Sequence, residues 1–388
     1  MKTDFFEFFC PARIIAGAGV VDSLGQTVEN MRWSRCFIVT DQVLRKAGLV
    51  DRVIKALTEG NVQVVGIFDE VVPNSEVSLV EKGAALAGEA EPDFLLALGG
   101  GSNIDTAKAI NIILSNGGRL LDYEGFGLLS SPLAPLVAVP TTAGTGSEVT
   151  QFAVIKDDSR NAKLSFLSPY LVPSVAVLDP EMTAGMPPLL TATTGLDALT
   201  HAVEAHVSNA SNPVASGLAL EAARIIFQNL PAATARGDDL EARHAMLVAS
   251  TMAGMAFSSA MVGIVHAMSH ACGGLYSVPH GLANAILLPY GMEYNIPTSA
   301  ARLADIAGAA GVALSGLTAE EGAARAVEAV RDLCASCGIS QRLKDTGVPA
   351  EGLAGVAELA AVDGAIFNNP RPAEPDEILE LLEKAYVK

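Results

Sequence analysis

The sequence predicts an α/β domain of residues 1–186 followed by an all-helical domain of residues 187–388. Short apolar runs alternate with helix-like segments in the first half of the chain, whereas the second half shows only helix-length periodicities rich in Ala and Leu. The chain has 388 residues, which is long enough for two domains at roughly 150 residues each. Met186-Pro187-Pro188 marks the expected boundary, because prolines interrupt helices and stiffen connections.

Four apolar runs in the first half predict buried strands, at residues 36–40, 62–68, 94–98 and 136–139. Helix-like segments lie between them, at residues 43–57, 78–90 and 104–114. Strands that are apolar throughout and separated by helices are typical of a parallel sheet covered on both faces. Ligands of such sheets bind beyond the carboxyl ends of the strands.

The second half predicts helices at residues 193–207, 214–228, 240–257 and 318–334. Within it, His244 to Met292 contains no Lys, Arg, Asp or Glu, which raises the possibility of a membrane span. The segment also holds four histidines, paired glycines and two prolines. We therefore interpret it as helix buried on all sides by protein.

The charge and cysteine content narrow the class of protein. A formal net charge of −18 argues against binding of nucleic acids or anionic membranes through a general basic surface. Five sparse cysteines indicate reduced thiols in a cytoplasmic protein, and Met1 to Glu7 lacks signal-peptide anatomy. Cys334 and Cys337 form a CxxC, but no second CxxC completes a zinc site, so we interpret them as part of an ordinary helix rather than a redox or metal pair.

Two loops after predicted strands favour a bound nucleotide. Gly99-Gly100-Gly101-Ser102 follows one strand and opens a helix, where backbone N–H groups and the helix N-terminus suit a phosphate. The alternative is a tight turn with Ser102 as N-cap. Pro140 to Glu148 follows another strand and offers four hydroxyls and two glycines. By contrast, Gly17-Ala18-Gly19 has Asp22 where a third glycine belongs and no clear strand before it, so a plain turn is expected there.

Asp41 follows an earlier predicted strand. A carboxylate there can accept hydrogen bonds from a ribose and would repel a 2′-phosphate, which favours NAD over NADP. Its alternative role is N-cap of the following helix.

Histidines and one aspartate predict a metal site in the second half. Asp197 and His201 are spaced i, i+4 on a predicted helix, and so share one face. His266 and His270 repeat this spacing, and a glycine pair lets His280 return to the same point. Imidazoles with a carboxylate suit Fe(II), Zn(II), Co(II) or Mn(II). The alternative is a satisfied buried Asp–His pair; His206 and His244 lack this context.

These motifs together resemble the iron-containing (group III) alcohol dehydrogenase family over essentially the whole chain, with Asn369-Pro370-Arg371-Pro372 as a further match. The resemblance implies a Rossmann-like NAD-binding domain and a helical metal-binding domain, as in dehydroquinate synthase. It places four metal ligands on Asp197, His201, His266 and His280, binding Fe2+ or alternatively Zn2+. His270 matches a catalytic histidine near the metal that does not bind it.

The resemblance also implies the residues of the cofactor and substrate sites. The cofactor positions are Asp41, Asn74, Gly99, Gly100, Gly101, Ser102, Asn103, Thr141, Thr142, Thr145, Val154 and Lys163. Phe152 and Phe257 match substrate-pocket positions, and Asp363 to Asn368 is similar to a segment at the pocket mouth. We expect a homodimer or higher homo-oligomer.

The implied activity is reversible hydride transfer between a small primary alcohol or diol, or the matching aldehyde, and NAD(H). The metal would act as a Lewis acid on the substrate oxygen, and His270 would pass the proton to solvent. A glycerol dehydrogenase-like enzyme, a dehydroquinate synthase-like lyase and a non-catalytic metal- or nucleotide-binding protein are the alternatives. The intact Asp and three His argue against the related maleylacetate reductases, which do not depend on the metal.

Overall fold

The computed structural model describes residues 5–157 and 162–387 and divides the chain into two units. The sheet unit comprises residues 9–142 and 146–185. The helical unit comprises residues 5–8, 143–145 and 186–387. The assignment of separate domains to residues 1–186 and 187–388 stays a prediction.

The sheet unit is built on a six-stranded sheet in the order β1-β9-β6-β4-β2-β3, in which every pairing is parallel. Its strands are β1 Arg13–Ala16, β2 Arg35–Val39, β3 Gln63–Phe68, β4 Phe94–Gly99, β6 Leu136–Pro140 and β9 Val175–Leu178. The predicted parallel sheet is confirmed, and four of its strands fall where the apolar runs predicted them. The short strands β1 and β9 were not predicted.

Alternate residues of the central strands pack into two separate cores, one on each face of the sheet. One core contains Leu95 and Ala97 together with residues of the helices α4 (Val77–Ala90) and α5 (Gly101–Asn116). The other core contains Leu96 and Leu98 together with residues of α1 (Leu24–Glu29) and α3 (Leu49–Glu59). Both faces of these strands are buried, which explains why their sequences are apolar throughout rather than alternating.

The sheet unit has five described helices: α1 Leu24–Glu29, α2 Gln42–Lys46, α3 Leu49–Glu59, α4 Val77–Ala90 and α5 Gly101–Asn116. The single helix predicted over residues 43–57 is wrong, because it is divided into α2 and α3. Gly48 separates them with φ +79°, a left-handed conformation that glycine adopts without a steric penalty.

A second, three-stranded sheet in the order β5-β8-β7 was also not predicted. It consists of β5 Gly125–Phe126, β7 Phe152–Asp157 and β8 Ala162–Leu167, with β7 and β8 antiparallel.

The backbone N–H groups of Gly19 and Val21 in the loop after β1 are not free to bind a ligand. The expectation that no strand precedes Gly17 is wrong, since β1 ends at Ala16. The N–H groups of Gly19 and Val21 each donate to the Asp179 carboxylate over 3.1 Å. This loop is a turn whose donors are satisfied within the protein.

The helical unit contains no strand among its described residues. Its helices are α6 Pro188–Val207, α7 Pro213–Ala235, α8 Leu240–Ala260, α9 Ile264–Tyr276, α10 His280–Ala309, α11 Ala319–Ser336, α12 Leu353–Ala361 and α13 Pro375–Val387. The helix α6 begins five residues earlier than predicted. A proline is tolerated in the first turn, where its missing N–H would have no partner in the helix.

The charge-free segment from His244 to Met292 forms most of α8, all of α9 and the first part of α10, and most of its side chains are buried. Within the described residues, no single helix is long and apolar enough to cross a membrane; α8 and α9 reach that length only together, with a bend of 100°. Arg243, which borders the segment, is also buried, and it donates to Gly237 O, Thr191 Oγ1 and Met186 O.

Candidate metal centre and nucleotide-binding residues

Three helices of the helical unit bring the four predicted metal ligands together. Asp197 and His201 lie on α6, His266 lies on the first turn of α9, and His280 begins α10. The potential ligand atoms of Asp197, His201 and His266 all lie within 4.8 Å of one another. His280 Nε2 lies 3.5 Å from Asp197 Oδ1. Helices distant in sequence therefore converge on one carboxylate.

Burial keeps two of these imidazoles neutral. It lowers the pKa of His201 to about 4 and that of His266 to about 3, although the Asp197 carboxylate acts in the opposite direction on both. Neutral imidazole is the form of histidine that binds a metal, so no proton has to leave these two side chains at neutral pH.

The residues present fit a divalent metal ion. Asp197 is 2% exposed, and a buried carboxylate is costly unless it has a cation or donors. Two buried polar atoms beside it, His201 Nδ1 and Asn284 Oδ1, have no hydrogen-bond partner among the described residues. One carboxylate with several imidazoles is a donor set that iron and zinc both accept.

Asn284 belongs to the same cluster and was not predicted. Its amide Nδ2 donates to Asp197 Oδ1 over 2.6 Å and lies 3.2 Å from Nε2 of both His266 and His280. The amide therefore lies against three of the four predicted ligand atoms. A sequence signal was available, since Asn284 follows His280 by one helical turn inside the charge-free segment.

His270 lies beside the cluster, as predicted for a histidine that does not bind the metal. Its ring stacks on that of His280 with centroids 5.4 Å apart. Its Nδ1 lies 3.1 Å from the Asp363 carboxylate. Burial is the largest single cause and raises the pKa of Asp363, but the combined effects of His270, the Ala365 N–H and His266 outweigh it, so the net pKa lies below the usual value.

Phe257, a predicted substrate-pocket residue, also reaches the cluster. It lies on α8, and its ring stacks on the imidazole of His201 with centroids 4.3 Å apart. An aromatic face therefore borders the metal ligands within the helical unit.

In the sheet unit, predicted cofactor residues gather at the carboxyl ends of β2 and β4. Asn103 Nδ2 donates to Asp41 Oδ2 over 2.9 Å and to Leu98 O over 3.0 Å. The backbone N–H of Asn74 donates to Ser102 Oγ over 3.4 Å. This edge of the sheet is the location predicted for a ligand.

The glycine loop lies close to neighbouring side chains at the start of α5. Gly99 has φ +146°, and a Cβ there would lie 2.3 Å from the Asn103 side chain. A Cβ on Gly100 would approach Thr142 to 3.2 Å. Gly100 is the N-cap and Ser102 lies inside the helix, so the alternative of Ser102 as N-cap is wrong.

The alternative role of Asp41 is realised in the structure. Its Oδ1 accepts from the backbone N–H groups of Val43 and Leu44 and so caps α2. The other carboxylate oxygen accepts from Asn103 Nδ2.

The remaining predicted residues lie elsewhere. Phe152 and Val154 are on β7, and Lys163 is on β8 opposite Lys156. Thr141 and Thr142 belong to the sheet unit, whereas Thr145 belongs to the helical unit, so the predicted loop is divided between the two.

Comparison with known proteins decides the family. A model described as iron-containing alcohol dehydrogenase matches residues 11–180, and one described as the C-terminal part of the Fe-containing alcohol dehydrogenase family matches residues 191–386. The chain belongs to the iron-containing alcohol dehydrogenase family. The predicted family and enzyme class, an NAD-dependent alcohol dehydrogenase or aldehyde reductase, are confirmed.

Relatives of this iron-containing alcohol dehydrogenase cover its full length. A 1,3-propanediol dehydrogenase from Klebsiella pneumoniae is 40% identical over 388 residues, which is all of both chains. A lactaldehyde reductase from Escherichia coli K12 is 38% identical and covers 95% of this chain and 97% of its own. A crystal structure of a 1,3-propanediol oxidoreductase superposes with a TM-score of 0.96 at 40% identity, covering 99% of this chain and 100% of its own.

A buried lysine and a partly buried aspartate of this dehydrogenase were also missed from the sequence. Lys108 on α5 is fully buried, and its Nζ donates to Thr150 O and Phe152 O over 2.8 and 2.7 Å. Asp105 accepts from the backbone N–H of Val154 over 3.0 Å. Burial lowers the pKa of Lys108 to about 8 and raises that of Asp105. Together they anchor the start of β7, which carries two predicted site residues.

The cysteines take no part in the site. All five are free, and burial raises the pKa of Cys334 to about 12, so its thiol is a poor nucleophile and metal ligand. His206 is a buried histidine whose Nδ1 lies 2.8 Å from Ser216 Oγ.

Proposed function

We propose that this enzyme transfers a hydride reversibly between a small primary alcohol or diol, or the matching aldehyde, and NAD(H), with Fe2+ held by Asp197, His201, His266 and His280. The convergence of one buried carboxylate with the buried imidazoles of His201 and His266 and the partly exposed imidazole of His280 carries the proposal. The relatives named 1,3-propanediol dehydrogenase and lactaldehyde reductase support the substrate class.

The protein side chains prepare the metal centre by burial and charge. A bound divalent metal supplies a Lewis acid that lowers the pKa of an alcohol or polarises a carbonyl. Asp197 provides the negative charge, and the neutral imidazoles of His201 and His266 provide lone pairs. Low water access around these groups strengthens every electrostatic interaction among them.

The sheet unit is proposed to bind NAD in preference to NADP. The N-terminus of α5, preceded by Gly99 and Gly100, suits the diphosphate. Asp41 is held by Asn103 and the first turn of α2. Its negative charge favours a free ribose over a 2′-phosphate.

His270 and Asp363 are proposed to move the proton. His270 is about a third exposed at its side chain and contacts the Asp363 carboxylate through Nδ1, which leaves Nε2 free to exchange a proton with the substrate or solvent. The neighbouring carboxylate would stabilise the imidazolium when it forms.

The substrate is proposed to be small and uncharged. Phe257 borders His201, and the segment that carries His266, His270 and His280 holds no charged residue other than histidine. A strongly anionic substrate would lack a cationic partner in this segment. Phe152 remains a proposed pocket residue on β7.

A cytoplasmic location is proposed from the state of the cysteines rather than from the metal centre. All five cysteines are free, which suits the reducing cytoplasm. A homodimer or higher homo-oligomer is proposed from the family resemblance, and analytical ultracentrifugation would test it.

The function is tested with Fe2+-reconstituted protein under anaerobic conditions. Ethanol, 1,3-propanediol, 1,2-propanediol, glycerol and their aldehydes would be assayed with NAD(H) and NADP(H), together with a Zn2+-loaded sample. We expect NADH to accumulate with primary alcohols or diols, and NAD to be preferred. A protein that binds iron and NAD but produces NADH with none of these alcohols would overturn the proposal, and preference for glycerol would favour the glycerol dehydrogenase-like alternative.

A further inference from the structure

Glu204 is a buried carboxylate that contacts a predicted metal ligand. It lies on α6, three residues after His201, and is 3% exposed. Its Oε2 lies 2.6 Å from His266 Nδ1 and accepts from the backbone N–H of Gly263 over 2.9 Å. Its Oε1 accepts from the backbone N–H of Val265 over 2.7 Å.

This contact selects one tautomer of His266. Both oxygens of Glu204 already accept backbone N–H groups, so the side chain acts as an acceptor toward the ring, and the proton of the neutral imidazole belongs on Nδ1 with the lone pair on Nε2. His266 Nε2 lies 3.9 Å from Asp197 Oδ1 and 3.2 Å from the Asn284 amide. The lone pair therefore points into the cluster of predicted ligands.

The same carboxylate caps the N-terminus of α9. The N–H groups of Gly263 and Val265 donate to it, while Asn369 Oδ1 accepts from the N–H of Ile264 over 3.2 Å. Because His266 lies in the first helical turn, one side chain both fixes the position of the helix end and orients the imidazole. Asn369 shares the capping role but makes no hydrogen bond to the His266 ring within the described residues.

We propose that Glu204 is a positioning residue for the metal centre, which holds His266 with Nε2 available and raises its affinity for the metal. This inference rests on the proposed function, since it requires His266 to be a ligand. A carboxylate on the far nitrogen of a ligating histidine fixes the ring and makes the other nitrogen more basic. Loss of such a partner typically weakens metal binding by about 10–100-fold.

The first measurement uses the unaltered protein without metal. With ¹⁵N-labelled histidine, long-range ¹H–¹⁵N spectra distinguish the two tautomers, and the chain has only six histidines to assign. We expect His266 to be protonated at Nδ1. A protonated Nε2 would overturn the inference. This measurement does not depend on the folding of any variant.

The second measurement compares Glu204→Gln with Asn369→Ala. Glutamine has nearly the same shape but one amide NH₂ in place of a carboxylate oxygen, so it has no anionic acceptor for His266. Asn369→Ala removes an acceptor from the same helix end and serves as the matched control for capping. Zinc and cobalt dissociation constants would be measured by competition with a chromophoric chelator, and metal-free stability by circular dichroism.

We expect both variants to lose stability, but only Glu204→Gln to bind metal about 10–100-fold more weakly and to change the visible spectrum of bound Co2+. Equal metal affinities in Glu204→Gln and Asn369→Ala would reduce Glu204 to a helix cap and overturn the inference. Asp197→Ala separates this failure from that of the proposed function. If Asp197→Ala also binds metal normally, the proposed metal centre is wrong; if it does not bind, only the role of Glu204 is wrong.

Discussion

A carboxylate among buried neutral imidazoles has few ways to be stabilised without a cation. Asp197 is in this position, and its partners are the Asn284 amide and the imidazoles of His266 and His280. We predict that Asp197→Ala retains no iron after gel filtration and loses about 10²–10⁴-fold in kcat, since Lewis-acid stabilisation is worth several kcal/mol. His266→Ala should behave alike.

The control for this prediction is His244→Ala, which removes a half-buried histidine outside the cluster. It should retain its iron and its turnover. Full NAD-linked alcohol oxidation by a metal-free Asp197→Ala protein would contradict the prediction.

The choice of cofactor is predicted to depend on the charge of Asp41. Asp41→Ser removes the charge but keeps an oxygen that can cap α2, so folding should be little affected. We expect the ratio of kcat/KM for NADP to that for NAD to rise at least about tenfold, or about 1.4 kcal/mol. Asp41→Ala would report the cost of the lost cap separately, by its free energy of unfolding. An unchanged ratio in both variants would remove Asp41 from the cofactor site.

His270 is predicted to act on the proton and not on the metal. His270→Gln should lower kcat by about 10²–10⁴-fold, the usual contribution of a general acid or base, while iron content stays unchanged. The pH profile of kcat should lose one titration. Loss of iron in this variant would instead identify His270 as a ligand.

At the scale of single residues, the sequence predicted four candidate ligands but not the residues that contact them. Asp197 and His201 share a helix face, and this spacing is visible in one element. Glu204 contacts His266 from another helix, and Asn284 contacts three of the predicted ligands. Asp363 contacts His270 from a segment distant in sequence. Which helices meet is decided by packing, so these roles became visible only in three dimensions.

Backbone contact between elements limits substitution in the sheet unit. Gly25 in α1 lies so close to α3 that a Cβ would be 2.3 Å from Ala56 O. Because backbone atoms have little freedom to move away, we predict that Gly25→Ala lowers the free energy of unfolding by about 1–3 kcal/mol. Urea denaturation would measure this.

Gly88 is the matched control, because it lies in α4 with open space where a Cβ would be placed. Gly88→Ala should raise the free energy of unfolding by about 0.5–1 kcal/mol, since alanine loses less backbone entropy in a helix. A destabilised Gly88→Ala together with an unaffected Gly25→Ala would show that the packing of α1 on α3 is wrongly described.

At the scale of elements, burial on both faces explains only some of the predicted strands, since the fully buried but four-residue β9 was missed and the partly exposed β3 was found. The strands β2, β4 and β6 are apolar because each packs against two cores, and they were found. The strand β1 has four residues, three of them exposed, and β7 alternates buried and exposed positions. Neither gives a continuous apolar run, so both were missed.

At the scale of the whole molecule, metal binding should contribute to stability. Fe2+ or Zn2+ free in solution at 100 times its dissociation constant would stabilise the native state by about 2.7 kcal/mol, if the unfolded chain binds none. We therefore predict that chelation lowers the Tm of the helical unit by roughly 5–10 °C in scanning calorimetry. Asp197→Ala should show no shift on chelation, and an equal shift in both proteins would place the stabilising metal elsewhere.

The order in which the three helices with the proposed ligands are synthesised determines when the metal site can form. Asp197 and His201 leave the ribosome well before His266, and His280 follows later still. A newly made α6 therefore offers only two of the four proposed ligands, Asp197 and His201, until α9 and the start of α10 have been synthesised and packed against it. With the proposed ligands, metal acquisition would be a late step of biogenesis, and the identity of the bound ion would reflect the metal pool that the folded chain meets rather than one available during translation.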